Sequence, residues 1–292
     1  MGTTQQLRRL IEAPGILLEA AVYDAFSARI AERAGFPSVL LSGNAVSASL
    51  LGLPDLGFLG RAEMVQVARN VAAAVRIPVI VDADTGYGDA LAVRRLVQEL
   101  EQAGAAGMMI EDQVSPKRCF LLGGHPPVVP VAEFLGKVEA ALAARQDPDF
   151  ILVARTCAEP AEGLDDAIRR ARAFRAAGAD VVLVSLTGGG TLPQLERIAT
   201  EVGGPLAVNL EEAERNPGVS LDACKRLGYK LASFPGVARY AMGRALREAL
   251  ERLRAEGSAR GLADRLMPLA EWNRLLDLER WAAQQPPSAP AP

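Results

Sequence analysis

Short apolar runs rich in β-branched residues alternate eight times with longer amphipathic runs, and this alternation constrains the fold more than any other feature. The strand-like runs lie at 16–22, 38–41, 79–81, 108–110, 150–154, 181–184, 206–208 and 230–234. Helical patterns fill 25–34, 62–75, 90–103, 132–145, 164–177, 192–202 and 221–227, with 239–254 after the last strand. Strands that are apolar at successive positions are buried on both faces, as in parallel sheets. Eight of them, each followed by a helix, predict an α/β fold of TIM type, a closed (β/α)8 barrel rather than an open sheet. Glycines at 35, 104, 178 and 228 end helical patterns just before strands, where a C-cap needs a left-handed residue. The chain's 292 residues accommodate one barrel with an extension. The predicted organisation is a barrel over 1–261, a C-terminal helical extension over 262–285 and a disordered Pro/Ala-rich tail over 286–292.

Composition narrows the function. A formal net charge of −3 without a basic block argues against nucleic acid as a partner. Charges interrupt every apolar run before it could span a bilayer, and the first nine residues lack the apolar segment of a signal peptide, so no membrane partner and a cytoplasmic location are expected. Cys119, Cys157 and Cys224 are too scattered for a disulfide framework or a zinc ribbon. His125 is the only histidine, which excludes multi-histidine metal sites. The extension carries Leu266, Leu269, Trp272, Leu275, Leu276 and Trp281, too apolar to lie free in water, and predicts packing against another subunit in a homo-oligomer, a dimer or tetramer.

Chemistry is expected at the ends of the third and fourth strands. Asp82 and Asp84 are two apart, so on a strand they face one side, and Glu111 at the next strand end offers a third oxygen donor. Carboxylates without histidine suit a hard, hydrated cation, Mg²⁺ or Mn²⁺. Asp89, at the start of the next helical pattern, reads as a helix cap instead. Two long loops follow strands and form candidate walls of the site: 42–60, with Asn44 and Asp55, and 113–131, with Lys117, Arg118, Cys119 and the pair Gly123-Gly124. Taken alone, Cys119 also reads as a passive loop thiol and Lys117-Arg118 as a solvated pair.

Several motifs together resemble the isocitrate lyase/phosphoenolpyruvate mutase superfamily, and the similarity runs from Leu18 to about Trp281. They are Ser42-Gly43 with Leu51-Gly52-Leu53-Pro54-Asp55-Leu56-Gly57, Asp82-Ala83-Asp84-Thr85-Gly86-Tyr87-Gly88, Glu111-Asp112-Gln113 with Pro116-Lys117-Arg118-Cys119, and Ala154-Arg155-Thr156. The resemblance implies a barrel whose last helix is exchanged between subunits, usually in tetramers, and Mg²⁺ near Asp82, Asp84 and Glu111. It implies an α-oxo-carboxylate held by Ser42, Gly43 and Arg155, with Asn44, Asp55 and Asn209 also in the substrate pocket. Cys119 would be the proton donor of the lyases, with Lys117 and Arg118 lowering its pKa and attracting the anionic substrate.

The chain departs from the lyase pattern close to the chemistry. Phe120-Leu121-Leu122 replaces the Gly-His that follows the loop cysteine, Ser185 stands for a glutamate, Leu40 for a tyrosine and Cys157 for an aspartate. The metal and oxo-acid half is retained, while polarity is lost where a second carboxylate would bind. The expected function is a Mg²⁺-dependent carbon–carbon lyase acting on a 2-hydroxy acid to release an α-oxo acid such as pyruvate or glyoxylate. A phosphonomutase and a barrel that binds an oxo acid without turnover are the alternatives.

Overall fold

The strand runs pair in the order in which they occur. In the computed structural model, which describes residues 2–118, 125–210 and 218–284, strands β1 (Leu17–Val22), β2 (Val39–Leu41), β3 (Val79–Asp82), β4 (Gly107–Glu111), β5 (Ile151–Thr156), β6 (Val181–Val184), β7 (Leu206–Asn209) and β8 (Leu231–Phe234) close a barrel. Every pairing is parallel, and β8 returns to β1 with Glu19 opposite Ser233. The expected α/β barrel is therefore the observed one.

The connecting helices are α2 (Ala25–Arg33), α4 (Arg61–Ala74), α5 (Ala90–Ala103), α6 (Val131–Ala144), α8 (Leu164–Ala176), α9 (Leu192–Val202) and α10 (Leu221–Arg226), and α11 (Val237–Glu256) follows β8. Asp89 caps α5, accepting from the amides of Leu91 and Ala92. Gly35, Gly104, Gly178 and Gly228 all have positive φ, as the C-cap reading requires. Two short helices lie in connections expected to be irregular. The stretch 42–60 holds α3 (Gly43–Val46), which runs into one wide turn at Ser47–Leu51, and α7 (Glu159–Glu162) precedes α8.

Burial divides into two layers. Side chains facing into the barrel, among them Leu17, Leu40, Ile80, Met109, Val153 and Leu183, form an inner core. Helix α1 (Thr3–Glu12) belongs to it: the polar lead-in seen in the sequence inserts Leu7 and Ile11, and Arg8 pairs with Asp149 and Asp180 next to the starts of β5 and β6. This closes the N-terminal end of the barrel and leaves the C-terminal end, where Asp82, Glu111, Arg155 and Asn209 sit, for a site. The outer core lies between strands and helices, and within it Phe134 of α6 meets Phe174 of α8 with ring centroids 4.5 Å apart.

The chain splits into two compact units, Met1–Arg239 and Tyr240–Pro292. The second contains most of α11, then α12 (Leu269–Leu275) and α13 (Leu278–Ala282), with Leu262 and Leu275 buried. Among the described residues no helix is long and apolar enough to cross a membrane. Cys119 to Gly124, the segment 211–217 with Glu212, and the expected tail lie outside the described residues.

Candidate active site

Strand β3 ends at Asp82, so the alternation of a strand does not bring Asp82 and Asp84 together, contrary to the expectation from their spacing. A turn does so instead. Asp84 has φ +50° and Tyr87 φ +56°, a conformation costly for residues with a Cβ and concentrated at functional sites. The turn is held by Ala83 N–H donating to Met109 O (2.9 Å) and Gly86 N–H donating to Ala83 O (2.9 Å). Lys137, buried on α6, donates to the Thr85 carbonyl (3.0 Å).

The two carboxylates converge over Gly43. A Cβ at that position would stand 2.9 Å from Asp84 Oδ1 and 3.3 Å from Asp82 Oδ2, so any larger residue would have to push the carboxylates aside. The Gly43 amide donates to Asp82 Oδ2 (3.2 Å), tying the start of α3 to the acidic cluster, and Ser42 caps that helix by accepting from Ala45 N–H (3.4 Å).

Glu111, at the end of β4, donates its amide to Asp84 O (2.8 Å). Its Oε2 faces Arg155 Nε (3.2 Å) and accepts from Cys157 Sγ (3.4 Å), while Oε1 is buried with no hydrogen-bond partner among the described residues. Arg155 Nε also donates to Ser185 Oγ (2.7 Å). Ser185 and Cys157, which in the sequence marked only lost lyase residues, thus bond to the retained machinery. Burial pushes the Cys157 thiol up to about 12, so it stays protonated and serves as a donor. Asp112 points elsewhere: it accepts from Thr156 Oγ1, Cys157 N–H and Arg170 and is a structural link between strands.

Lys117 and Arg118 part company. The Lys117 ammonium is buried, 3.0 Å from Asp55 Oδ1 and paired with Asp84, so the reading of a solvated pair fails for it. Burial pulls its pKa down, but Asp84, Asp82, Glu111 and Asp55 outweigh this and hold it well above the ordinary lysine value. Asp84 is raised to about 7 by burial, with Lys117 opposing and Asp82 and Asp55 assisting. Arg118 is exposed, and its amide donates to Gln113 Oε1 (3.0 Å) at the base of the loop, where Gln113 bridges to Val128.

These groups line one pocket. Its polar lining includes Ser42, Asn44, Asp55, Asp82, Glu111, Lys117, Arg155 and Asn209, so all the sequence-predicted ligand and metal residues among the described ones meet there or, as with Gly43 and Asp84, border it. Its apolar lining comes from Leu40, Met109, Val184, Leu186, Leu195 and Val208, with Pro235 and Arg239 completing it. Arg239 was missed in the sequence because nothing local distinguishes it from other arginines at a helix start.

Among the described residues no three His, Cys, Asp or Glu side chains stand close enough to ligate one ion directly. The donor set nevertheless suits Mg²⁺ held largely through waters: Asp82, Asp84 and Glu111 offer only oxygen, Glu111 Oε1 is unpartnered, and a cation, the Lys117 ammonium, already lies among them.

Comparison with known proteins accords with this geometry. The family model described as phosphoenolpyruvate phosphomutase matches residues 7–254. The chain is 35% identical over 280 residues to the 2,3-dimethylmalate lyase of Eubacterium barkeri, covering 96% of each chain. It is 41% identical over 280 residues to the chloroplastic carboxyvinyl-carboxyphosphonate phosphorylmutase of Arabidopsis thaliana, covering 94% of this chain and 82% of that one. The structure of a phosphonopyruvate hydrolase complex with oxalate and Mg²⁺ superposes with a TM-score of 0.87 at 31% identity, covering 97% of this chain and 98% of that one.

Proposed function

The chain belongs to the phosphoenolpyruvate mutase/isocitrate lyase superfamily and is an enzyme of that type, and from this premise we propose that it is a Mg²⁺-dependent carbon–carbon lyase. Its substrate is a 2-hydroxy acid with an apolar substituent, and its product an α-oxo acid such as pyruvate or glyoxylate. One observation carries the reading: a pocket that joins carboxylates and Arg155 to a wall of Leu40, Val184, Leu186, Leu195 and Val208.

Asp82, Asp84 and Glu111 would hold Mg²⁺, which supplies Lewis-acid polarisation of the oxo-acid oxygens. Arg155 presents a planar cation to the carboxylate, held in orientation by Ser185 and Glu111. Ser42 and Asn209 contribute polar groups around the same ligand. The apolar wall takes the substituent and excludes water from the departing carbanion. Cys119, the loop cysteine implied by the family resemblance, donates the proton that the carbanion needs. The protein acts in the cytoplasm as a homo-oligomer.

The test is release of pyruvate or glyoxylate from a panel of 2-hydroxy acids with Mg²⁺. Acids with alkyl substituents, of the dimethylmalate kind, should be cleaved faster than methylisocitrate, and Cys119→Ser should lose most turnover, at least about a hundredfold for a positioned proton donor, while still binding oxalate. If no acid is cleaved, or Cys119→Ser is as active as the parent, the lyase reading fails. The phosphonomutase reading, favoured by the 41% identity to the plant phosphorylmutase, then takes its place.

A further inference from the structure

Next to the pocket, the barrel interior holds a second cavity of about 20 Å³, room for one water. All eight strands contribute to its walls, and its lining is apolar except for Glu19 of β1, Ser233 of β8 and Asn209 of β7. These three are neighbours in the sheet, since Glu19 is opposite Ser233 in one pairing and Asn209 opposite Ser233 in the next. Glu19 Oε1 accepts from Ser38 Oγ (2.9 Å), and Ser233 Oγ donates to Asn209 Oδ1 (2.9 Å). Of the three, only Asn209 also lines the candidate active site. With its Oδ1 engaged by Ser233, its amide donors remain for the pocket.

A serine has one proton to donate, and an ionised carboxylate is a stronger acceptor than an amide. We infer that Glu19 is a positioning residue for Asn209 that acts through Ser233. Neutral Glu19 leaves the Ser233 hydroxyl bonded to Asn209; ionised Glu19 draws that hydroxyl towards itself, directly or through a water that the cavity has room for, and the carboxamide is freed to turn. Burial, offset in part by Ser38, raises the Glu19 pKa from 4.5 to about 7, which puts the change within the working range of an enzyme. Among the described residues no other titratable side chain lines the cavity. On the pocket side, the charged groups among the described residues are Asp55, Asp82, Glu111, Lys117, Arg155 and Arg239, and these are the same in the variants below. Asp84, itself high, adds a transition common to parent and variants.

The consequence for ligand rests on the reading of Asn209 as a residue that faces an anionic substrate, so the test has one readout that needs no ligand. Side-chain amide signals of Asn209, assigned by their loss in Asn209→Ala, are followed by NMR from pH 5.5 to 8.5 in the full chain. In the parent they should shift with a midpoint near pH 7, and in Glu19→Gln, which keeps the shape but cannot ionise, the Glu19 component of that transition should vanish, leaving only what Asp84 contributes. Ser233→Ala, which cuts the link, should abolish that component as well and serves if Glu19→Gln does not fold. By calorimetry with Mg²⁺, the parent's oxalate affinity should fall between pH 6 and pH 8 by about two- to tenfold more than that of Glu19→Gln, the worth of one hydrogen bond. An unchanged transition in either variant, or no transition in the parent, overturns the inference. A parent that binds no oxalate while its Asn209 signals titrate as stated overturns the reading of the pocket and supports the link.

Discussion

Asp84 shows how one residue carries both strain and charge. Its left-handed backbone is costly, yet it points a carboxylate at Asp82 and Lys117, where it interacts with charge of both signs. Asp84→Ala should therefore abolish Mg²⁺-dependent oxalate binding while leaving the fold, as read by calorimetry and circular dichroism; unchanged affinity would remove Asp84 from the metal site. Glu19 gives a second prediction at this scale. Because its folded pKa lies above the unfolded value, its neutral form favours the native state. That stability is fully present below about pH 4.5 and is lost as pH rises through about 7. A shift from 4.5 to about 7 corresponds to about 3 kcal/mol. Urea unfolding at pH 5 and pH 8 should show Glu19→Gln gaining on the parent by up to that amount at the higher pH.

Among elements, α6 and α8 shape the site from behind. Helix α6 carries Lys137, which holds the Thr85 carbonyl of the acidic turn, and it is fixed against α8 by Phe134 and Phe174, both fully buried. Phe134→Ala should cost about 3–5 kcal/mol, the range for removing a buried aromatic ring. Denaturant unfolding measures it, and a loss below about 1 kcal/mol would mean that the neighbouring side chains close the gap. The acidic turn depends on this packing because Lys137 reaches it only from a correctly seated α6.

For the whole molecule, the exposed apolar residues of the second unit are decisive. Leu266, Leu269, Trp272, Leu278 and Trp281 are each more than 40% exposed in the single chain. Burying such side chains is worth about 25 cal/mol per Å² of apolar surface, which favours their coverage by a second copy. A chain ending at Gly261 should lose its oligomeric state or its solubility, as read by light scattering. A soluble truncated protein with the parent's subunit number would place the interface elsewhere.

The sequence by itself determined the barrel and much of the site's membership. Strands buried on both faces leave unbroken apolar runs, helices end in glycine where the backbone turns left-handed, and Asp82 and Glu111 are legible because strand ends in such a barrel face one opening, whereas Arg155 and Asn209 stand out through the motifs of the family resemblance. These are local or periodic signals, which neighbouring residues carry. Only the tertiary structure decided how the groups meet. Cys157 reaches Glu111 across 46 residues and Arg155 reaches Ser185 across 30, so Cys157 and Ser185 could be read along the chain only as missing lyase residues. Taken alone along the chain, Lys117 reads as a solvated lysine, and only the fold buries it between Asp55 and Asp84. Along the chain Glu19 is one acidic residue in an apolar run. Its environment, a cavity walled by eight strands, exists only once the barrel closes, because through-space contacts and desolvation follow from the fold rather than from the order of residues.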